Sequence, residues 1–118
     1  MKKQHCELLL RTLETEMDGI VIYSTALKCV LSEELRREWT DYLDQSGRRI
    51  EIIYELFESL ALDTEQETPG RLVVRHMGQA LVDAIEIARF TDDPTAAELV
   101  ACECVVLAKT RTCANWQL

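Results

Sequence analysis

The segment LLRTLETEMDGIVIYSTALKCV, residues 9–30, decides the fold class. Its large apolar residues recur at intervals of four and three, which is the spacing of one face of an α-helix. Glu16 is the charged exception on that face, and it lies far from both ends of the helix. A buried carboxylate is costly unless a counter-charge or a metal ion compensates for it. Glu16 is therefore the first candidate for a functional residue. The face comprises Leu9, Leu13, Glu16, Ile20, Tyr23, Leu27 and Val30.

Three more segments with helical periodicity follow, separated by breaks at Ser32, at Pro69-Gly70 and at Asp92-Asp93-Pro94. Ser and Asp favour the residue that caps a helix start, whereas Pro and Gly interrupt helices. Ser32 is the expected cap of the second helix, and Asp93 or Thr95 that of the fourth. Long helices with short connections predict a single all-α domain over 1–118, an antiparallel four-helix bundle. The predicted helices cover about residues 4–31, 33–62, 70–90 and 94–116.

Composition and charge narrow the possible partners and the cellular location. Of the 118 residues, 47% are hydrophobic and 29% charged, which indicates a folded globular chain. The net charge of −8 disfavours nucleic acid and anionic membrane surfaces as partners. The apolar run Leu8–Leu10 is too short for a signal peptide or a spanning helix. The sequence therefore predicts a cytoplasmic protein, and its five cysteines, an odd number, fit free thiols.

Polar residues interrupt the apolar faces of the other three helices as well. In the second helix, Ser46 and Arg49 occupy the centre of a face that is apolar at both ends. In the fourth, the predicted face runs through Leu99, Glu103, Val106, Leu107 and Thr110, with Glu103 as the charged member. In the third, Asp83 lies between Ala80 and Ile87, and Glu86 falls on the flank. These residues either meet at the bundle centre or lie half-solvated at its rim.

Several of these residues resemble motifs of the ferritin-like superfamily, the four-helix bundles of bacterioferritins and rubrerythrins. Glu16 with Tyr23 seven residues later is similar to the first helix of that family, which carries a metal-ligand Glu and a Tyr. Residues 42–51 look like its second helix. The stretch TRTCANW, residues 110–116, resembles its last motif, with Cys113 at a ligand position. The resemblance implies a ferritin-like bundle around a di-metal centre.

The di-metal ligand pattern that the resemblance implies is incomplete. An intact centre uses two Glu residues and two Glu-x-x-His motifs, but Lys2 and Val73 stand three residues before the two histidines, His5 and His76. Carboxylates that could still bind one ion, iron or manganese, are Glu16 and Glu103 with Asp83 or Glu86, and a second copy would supply further ligands. Alternatively, Arg49 supplies the missing positive charge and holds Glu16 and Glu103. The other polar residues expected at the bundle centre are Tyr23, Ser46 and Cys113.

Three functions remain open at this point. The first is a ferritin-like bundle without a di-metal oxidase centre or cofactor, acting as a structural or interaction module rather than as an enzyme. The second is a working di-iron or di-manganese protein of iron storage or oxidative-stress response, a ferroxidase-like or peroxide-reducing oxidoreductase. The third is an unrelated helical adaptor. Because some relatives carry a further helix after a Trp like Trp116, its absence would expose an apolar groove, and a homodimer would close it.

Overall fold

The computed structural model describes residues 3–116, which form four α-helices and their connections. The predicted all-α four-helix fold is confirmed. The part of the chain described is elongated, with extents of 50 × 26 × 21 Å. In chain order the helices are α1 (Lys3–Leu27), α2 (Glu33–Ser59), α3 (Pro69–Arg89) and α4 (Pro94–Asn115).

The starts of α2, α3 and α4 follow from side chains that cap them. Ser32, Thr68 and Asp93 each accept a hydrogen bond from the backbone N–H three residues further on. These bonds satisfy amide groups that have no partner within the first turn of a helix. The predicted caps at Ser32 and Asp93 are confirmed, whereas the cap at Thr68, before Pro69, is an addition.

α1 ends at Leu27, four residues before the predicted position, because a side chain from α4 holds the following segment. One carboxylate oxygen of Glu98 accepts the backbone N–H of Leu31 at 2.6 Å and that of Ser32 at 3.0 Å. These bonds fix residues 28–32 in a turn between α1 and α2. Val30 remains buried, so the periodicity identified a core residue outside the helix.

α2 ends at Ser59 rather than near residue 62, because the chain turns at Ala61. Ala61 has a φ of 54°, in the left-handed region that usually terminates helices at glycine. The backbone N–H of Leu62 donates back to the Phe57 carbonyl at 2.9 Å. Because the sequence has no glycine here, the residue that most often marks the end of a helix was absent from the pattern.

α1 is the central helix and packs closely against the other three. α3 and α4 also pack on each other, whereas α2 makes close backbone contact mainly with α1 among the described helices. Five successive residues, from Thr12 to Glu16, are consequently buried. Thr12 and Thr15 satisfy their hydroxyls by donating to carbonyls four residues earlier. A helix enclosed on several sides cannot be described by one apolar stripe.

Successive helices are antiparallel, so the chain runs up, down, up and down. Ser46 of α2 lies opposite Glu16 of α1, and Trp116 after α4 reaches the same level. Residues 60–68 connect α2 to α3 at one end of the bundle, beside the start of α1, where Gly70 contacts Glu7. Ferritin-like folds instead contain one long crossover connection.

Two apolar clusters form the core, one on each side of the level of Glu16. The smaller one centres on Leu10, Leu13, Ile53 and Phe57 of α1 and α2. The larger one is drawn from all four helices and the α1–α2 turn. Its buried members include Ile22, Tyr23, Ala26, Trp39, Ile85, Ala101, Cys104 and Val105.

The predicted buried face of α4 is wrong. Leu99, Glu103, Val106, Leu107 and Thr110 are exposed. Small residues let α4 approach the central helix closely, whereas the predicted face was chosen from the largest apolar side chains. The buried face of α4 is made of Ala97, Ala101, Cys104, Val105, Ala108 and Thr112.

The predicted core face of α3 is wrong as well. Ala80, Asp83 and Ile87 point outward, although the pattern placed them on the core face. Gly78 lies against Asp18 of α1, and a Cβ atom at this position would overlap the Asp18 carboxylate. Close packing at this glycine fixes the rotation of α3, so that Val73, Met77 and Ile87 face outward whereas Ile85 is buried.

Within residues 3–116, every helix is too short or too polar to cross a lipid bilayer.

Candidate functional site

The polar centre of the bundle is built around Glu16, whose side chain is fully buried. The hydroxyl of Ser46 donates to Oε1 at 2.9 Å, and the indole Nε1–H of Trp116 donates to Oε2 at 2.9 Å. A guanidinium nitrogen of Arg49 lies 3.8 Å from Oε1. Both carboxylate oxygens therefore have a hydrogen-bond donor, and a positive charge lies nearby.

Local packing brings these groups to Glu16. Ser46 and Arg49 are three residues apart on α2, which places them on neighbouring positions of one helix face. Gly19, three residues after Glu16, lets α2 come close, since a Cβ atom there would lie 3.1 Å from the Ser46 hydroxyl. Trp116 follows the last turn of α4 and extends its ring to Glu16.

Two buried hydroxyls adjoin this centre. Tyr23 is 1% exposed and Thr112 is 1% exposed. Among the described residues, neither side-chain oxygen has a hydrogen-bond partner of good geometry. Burial raises the pKa of Tyr23 to about 12, while the nearby Thr112 hydroxyl opposes the rise. Tyr23 is thus a neutral phenol at neutral pH.

Arg49, Ser46 and Tyr23 of the predicted centre are brought together with Glu16, but other predicted members are not. Cys113 is exposed, because the rotation of α4 turns Thr112 inward in its place. Glu103 is also exposed, so Arg49 does not hold both carboxylates; it forms an ion pair with Glu16 at 3.8 Å.

Glu86, the third tentative metal ligand, lies on the side of α3 and not at the centre. Its carboxylate is 3.2 Å from a nitrogen of Arg89 and 4.0 Å from Lys28 Nζ. The predicted set of Glu16, Glu86 and Glu103 is therefore not assembled within one chain. Since Glu16 is fully buried, a second copy could not supply ligands to it without opening the bundle.

The residues around Glu16 do not fit the di-metal centre that the resemblance implies. The Ser46 hydroxyl and the Trp116 indole N–H donate hydrogen bonds to Glu16, and the Arg49 guanidinium carries a positive charge that repels a metal ion. Both histidines, His5 and His76, are exposed. Within residues 3–116, no group of three His, Cys, Asp or Glu residues has the arrangement of a metal site.

A second ionic cluster, absent from the sequence predictions, surrounds Glu14. Arg71 Nε donates to Oε1 of Glu14 at 2.8 Å, and both side chains are buried. Arg71 also donates to the carbonyls of Thr64 and Gln66 at 2.6 and 2.9 Å. The cluster therefore anchors the connection between α2 and α3 to α1. Glu14 and Glu16 are both buried only because α1 has neighbours on several sides.

A third carboxylate of α1, that of Asp18, is 12% exposed and lies where α1, α3 and α4 meet. Burial, followed by the charge of Glu14, raises its pKa to about 7, while Arg111 opposes the rise. A nitrogen of Arg111 is 3.5 Å from Oδ2, but that oxygen has no hydrogen bond of good geometry among the described residues. Of Glu14, Glu16 and Asp18, Asp18 is thus the acid whose charge is least compensated.

A shallow groove of about 320 Å³ separates α2 from α4 above the polar centre. Trp39 and Tyr42 line it on α2, and Val106 and Lys109 on α4. Lys109 Nζ lies 4.3 Å above the Tyr42 ring and donates to Gln45 at 3.0 Å. Lys109 is thus already engaged by α2, and it links the two helices.

Comparisons with protein-family models, curated proteins and solved structures found no match to this chain.

Proposed function

We propose that this chain is a non-catalytic helical bundle that acts as a structural or interaction module. The observation that carries the proposal is the contact set of Glu16, the carboxylate that resembles a ferritin-like metal ligand. Ser46 and Trp116 donate to its two oxygens, and Arg49 supplies a positive charge. An internal network replaces the di-metal centre in this proposal.

The energetics of a buried acid support this function. An ionised carboxylate in a protein interior costs several kcal/mol unless donors and a counter-charge compensate for it. The partners of Glu16 provide that compensation from within the chain. A metal ion at this position would have to displace Ser46 and Trp116 and would lie beside the Arg49 cation. The network therefore favours structural stabilisation over metal chemistry.

Surface composition supports the interaction part of the proposal. Val73, Met77 and Ile87 on α3 are more than half exposed, as are Leu99 and Val106 on α4. Exposed apolar patches larger than a few hundred Å² are typical of protein-binding surfaces. The outer faces of α3 and α4 are thus the candidate binding surfaces of the module.

Metal titration of the purified chain tests the proposal. Fe²⁺ under anaerobic conditions, or Mn²⁺, is added to the wild type, to Glu16→Gln and to Glu103→Gln, and bound metal per chain is measured after dialysis. Glu103→Gln is the matched control, because it removes an exposed glutamate of the same predicted ligand set. We expect no stoichiometric binding to any of the three proteins.

Stoichiometric binding that Glu16→Gln abolishes and Glu103→Gln preserves would overturn the proposal. That result would favour the iron-storage or oxidative-stress function instead.

A further inference from the structure

The outer face of α3 carries an apolar seam that the described residues leave largely uncovered. Val73, Met77 and Ile87 are 58%, 52% and 73% exposed; between them, Ala80 is exposed and Ala84 is partly buried against the core. These five residues, here called the α3 seam, recur at intervals of four and three. This is the spacing that packs one helix along another in coiled coils.

The α3 seam is approximately symmetric about Ala80. Val73 and Ile87 lie seven residues before and after it, whereas the large Met77 lies three residues before it and the small Ala84 four residues after it. If two copies of α3 pair antiparallel about a two-fold axis at Ala80, Met77 of each copy packs over Ala80 and Ala84 of the other. Such a self-complementary patch is what a two-fold symmetric dimer requires.

Two polar residues beside the seam also fit the antiparallel pairing of two α3 helices. His76 and Asp83 are exposed and lie four residues before and three residues after Ala80. Antiparallel pairing about Ala80 therefore brings Asp83 of each copy next to His76 of the other, where the carboxylate can accept an imidazole N–H. An apolar centre with a polar edge is the usual composition of a protein interface.

The available area is sufficient for a specific dimer. α3 has 21 residues, and together with the adjoining face of α4 it forms a strip about 30 Å long and about 20 Å wide, or on the order of 600 Å². Leu107 adds to the strip, since Arg111, one turn further along α4, bonds to the carbonyl of Val74. Specific interfaces begin at about 600 Å² per partner.

We propose that the α3 seam binds a second copy of this chain, antiparallel, with the two-fold axis at Ala80. The inference deepens the proposed function, on which it rests, by naming the partner of the interaction module. Ala80 is the central residue because it faces its own counterpart, and its small side chain allows the two helices to approach closely.

Substitutions of opposite charge at Ala80 test both that the α3 seam is the interface and that the two-fold axis passes through Ala80. Masses of the wild type, Ala80→Glu, Ala80→Lys and an equimolar mixture of the two variants are measured by sedimentation equilibrium. Ala96→Glu is the matched control, an exposed alanine on α4. We expect the wild type and the control at twice the 13.5 kDa chain mass, each Ala80 variant alone at the chain mass, and the mixture again at twice that mass.

Circular dichroism spectra equal to that of the wild type verify that the variants are folded. A monomeric wild type, a dimer that survives in each single variant, or a mixture that stays monomeric would overturn the inference. These outcomes are independent of the metal titration: bound metal would overturn the proposed function, whereas a monomeric chain without metal would overturn only the dimer.

Discussion

Ser46 of α2 donates its hydroxyl hydrogen to Oε1 of Glu16 at 2.9 Å, and both side chains are fully buried. The bond joins two helices at the level where the two apolar clusters of the core are interrupted. It depends on the close approach of α2 to Gly19. The polar centre is therefore part of the packing of the bundle.

Ser46→Ala removes this donor and leaves one oxygen of a buried carboxylate dependent on Arg49. We expect the free energy of unfolding to fall by about 1–3 kcal/mol, the cost of leaving a buried polar group unsatisfied. Urea denaturation measures the change. Ser24→Ala, at an exposed position of α1, is the control and should alter stability by less than about 0.5 kcal/mol. Equal effects of the two substitutions would contradict the account.

Arg71→Met breaks the buried ion pair with Glu14 and releases the carbonyls of Thr64 and Gln66. The buried Glu14 then keeps only the partly exposed Arg75, 3.1 Å away, so stability should fall by about 3 kcal/mol. Arg36→Met removes an exposed ion pair with Glu33 and should cost less than about 0.5 kcal/mol. Chemical denaturation compares them, and a small loss in Arg71→Met would contradict the anchoring role of the Glu14 cluster.

The raised pKa of Asp18 predicts an unusual pH dependence of stability. The native state holds the Asp18 proton up to about pH 7, whereas the unfolded chain releases it near pH 4. The contribution of protonated Asp18 to the free energy of unfolding is therefore fully present below about pH 4 and is lost as pH rises towards 7. Relative to Asp18→Asn, the wild type should lose on the order of 2–4 kcal/mol across this range.

Urea denaturation at several pH values measures this difference. Asp44→Asn, at an exposed position of α2, is the control. Its free energy of unfolding should differ from that of the wild type by the same amount at every pH. A constant difference between the wild type and Asp18→Asn would show that Asp18 keeps an ordinary pKa.

Two glycines should respond in opposite directions to substitution by alanine. A Cβ atom at Gly78 would overlap the Asp18 carboxylate, whereas at Gly47 it would meet nothing within 4 Å. Gly78→Ala should cost about 1–3 kcal/mol through overpacking. Gly47→Ala should gain about 0.5–1 kcal/mol, since alanine favours the helix interior. Thermal unfolding of both variants checks the pair, and a neutral Gly78→Ala would contradict the close packing of α3 on α1.

The number and starts of the helices could be predicted from sequence because local residues specify them. Ser32 and Asp93 cap helices through bonds to amides three residues away, and this spacing is visible in the sequence. The end of α1 could not be predicted in the same way, because Glu98, which lies far along the chain, holds the backbone at Leu31.

Part of the polar centre could be predicted from periodicity. Glu16 and Arg49 stood out as charges on apolar faces, and the structure pairs them. Glu103 was misplaced because small residues, such as Ala101 and Ala108, form the buried face of α4. A pattern judged by large side chains selects the opposite face. The ferritin-like relationship stays a prediction.

The effect of metal on the stability of Glu16→Gln tests the central claim most directly. Urea denaturation of the wild type and the variant is carried out with a chelator and again with added Mn²⁺. Because the partners of Glu16 are protein donors, we predict that Glu16→Gln lowers stability by the same amount under both conditions. A loss that appears only with Mn²⁺ would contradict the account, since Glu16 would then stabilise the bundle through a metal ion.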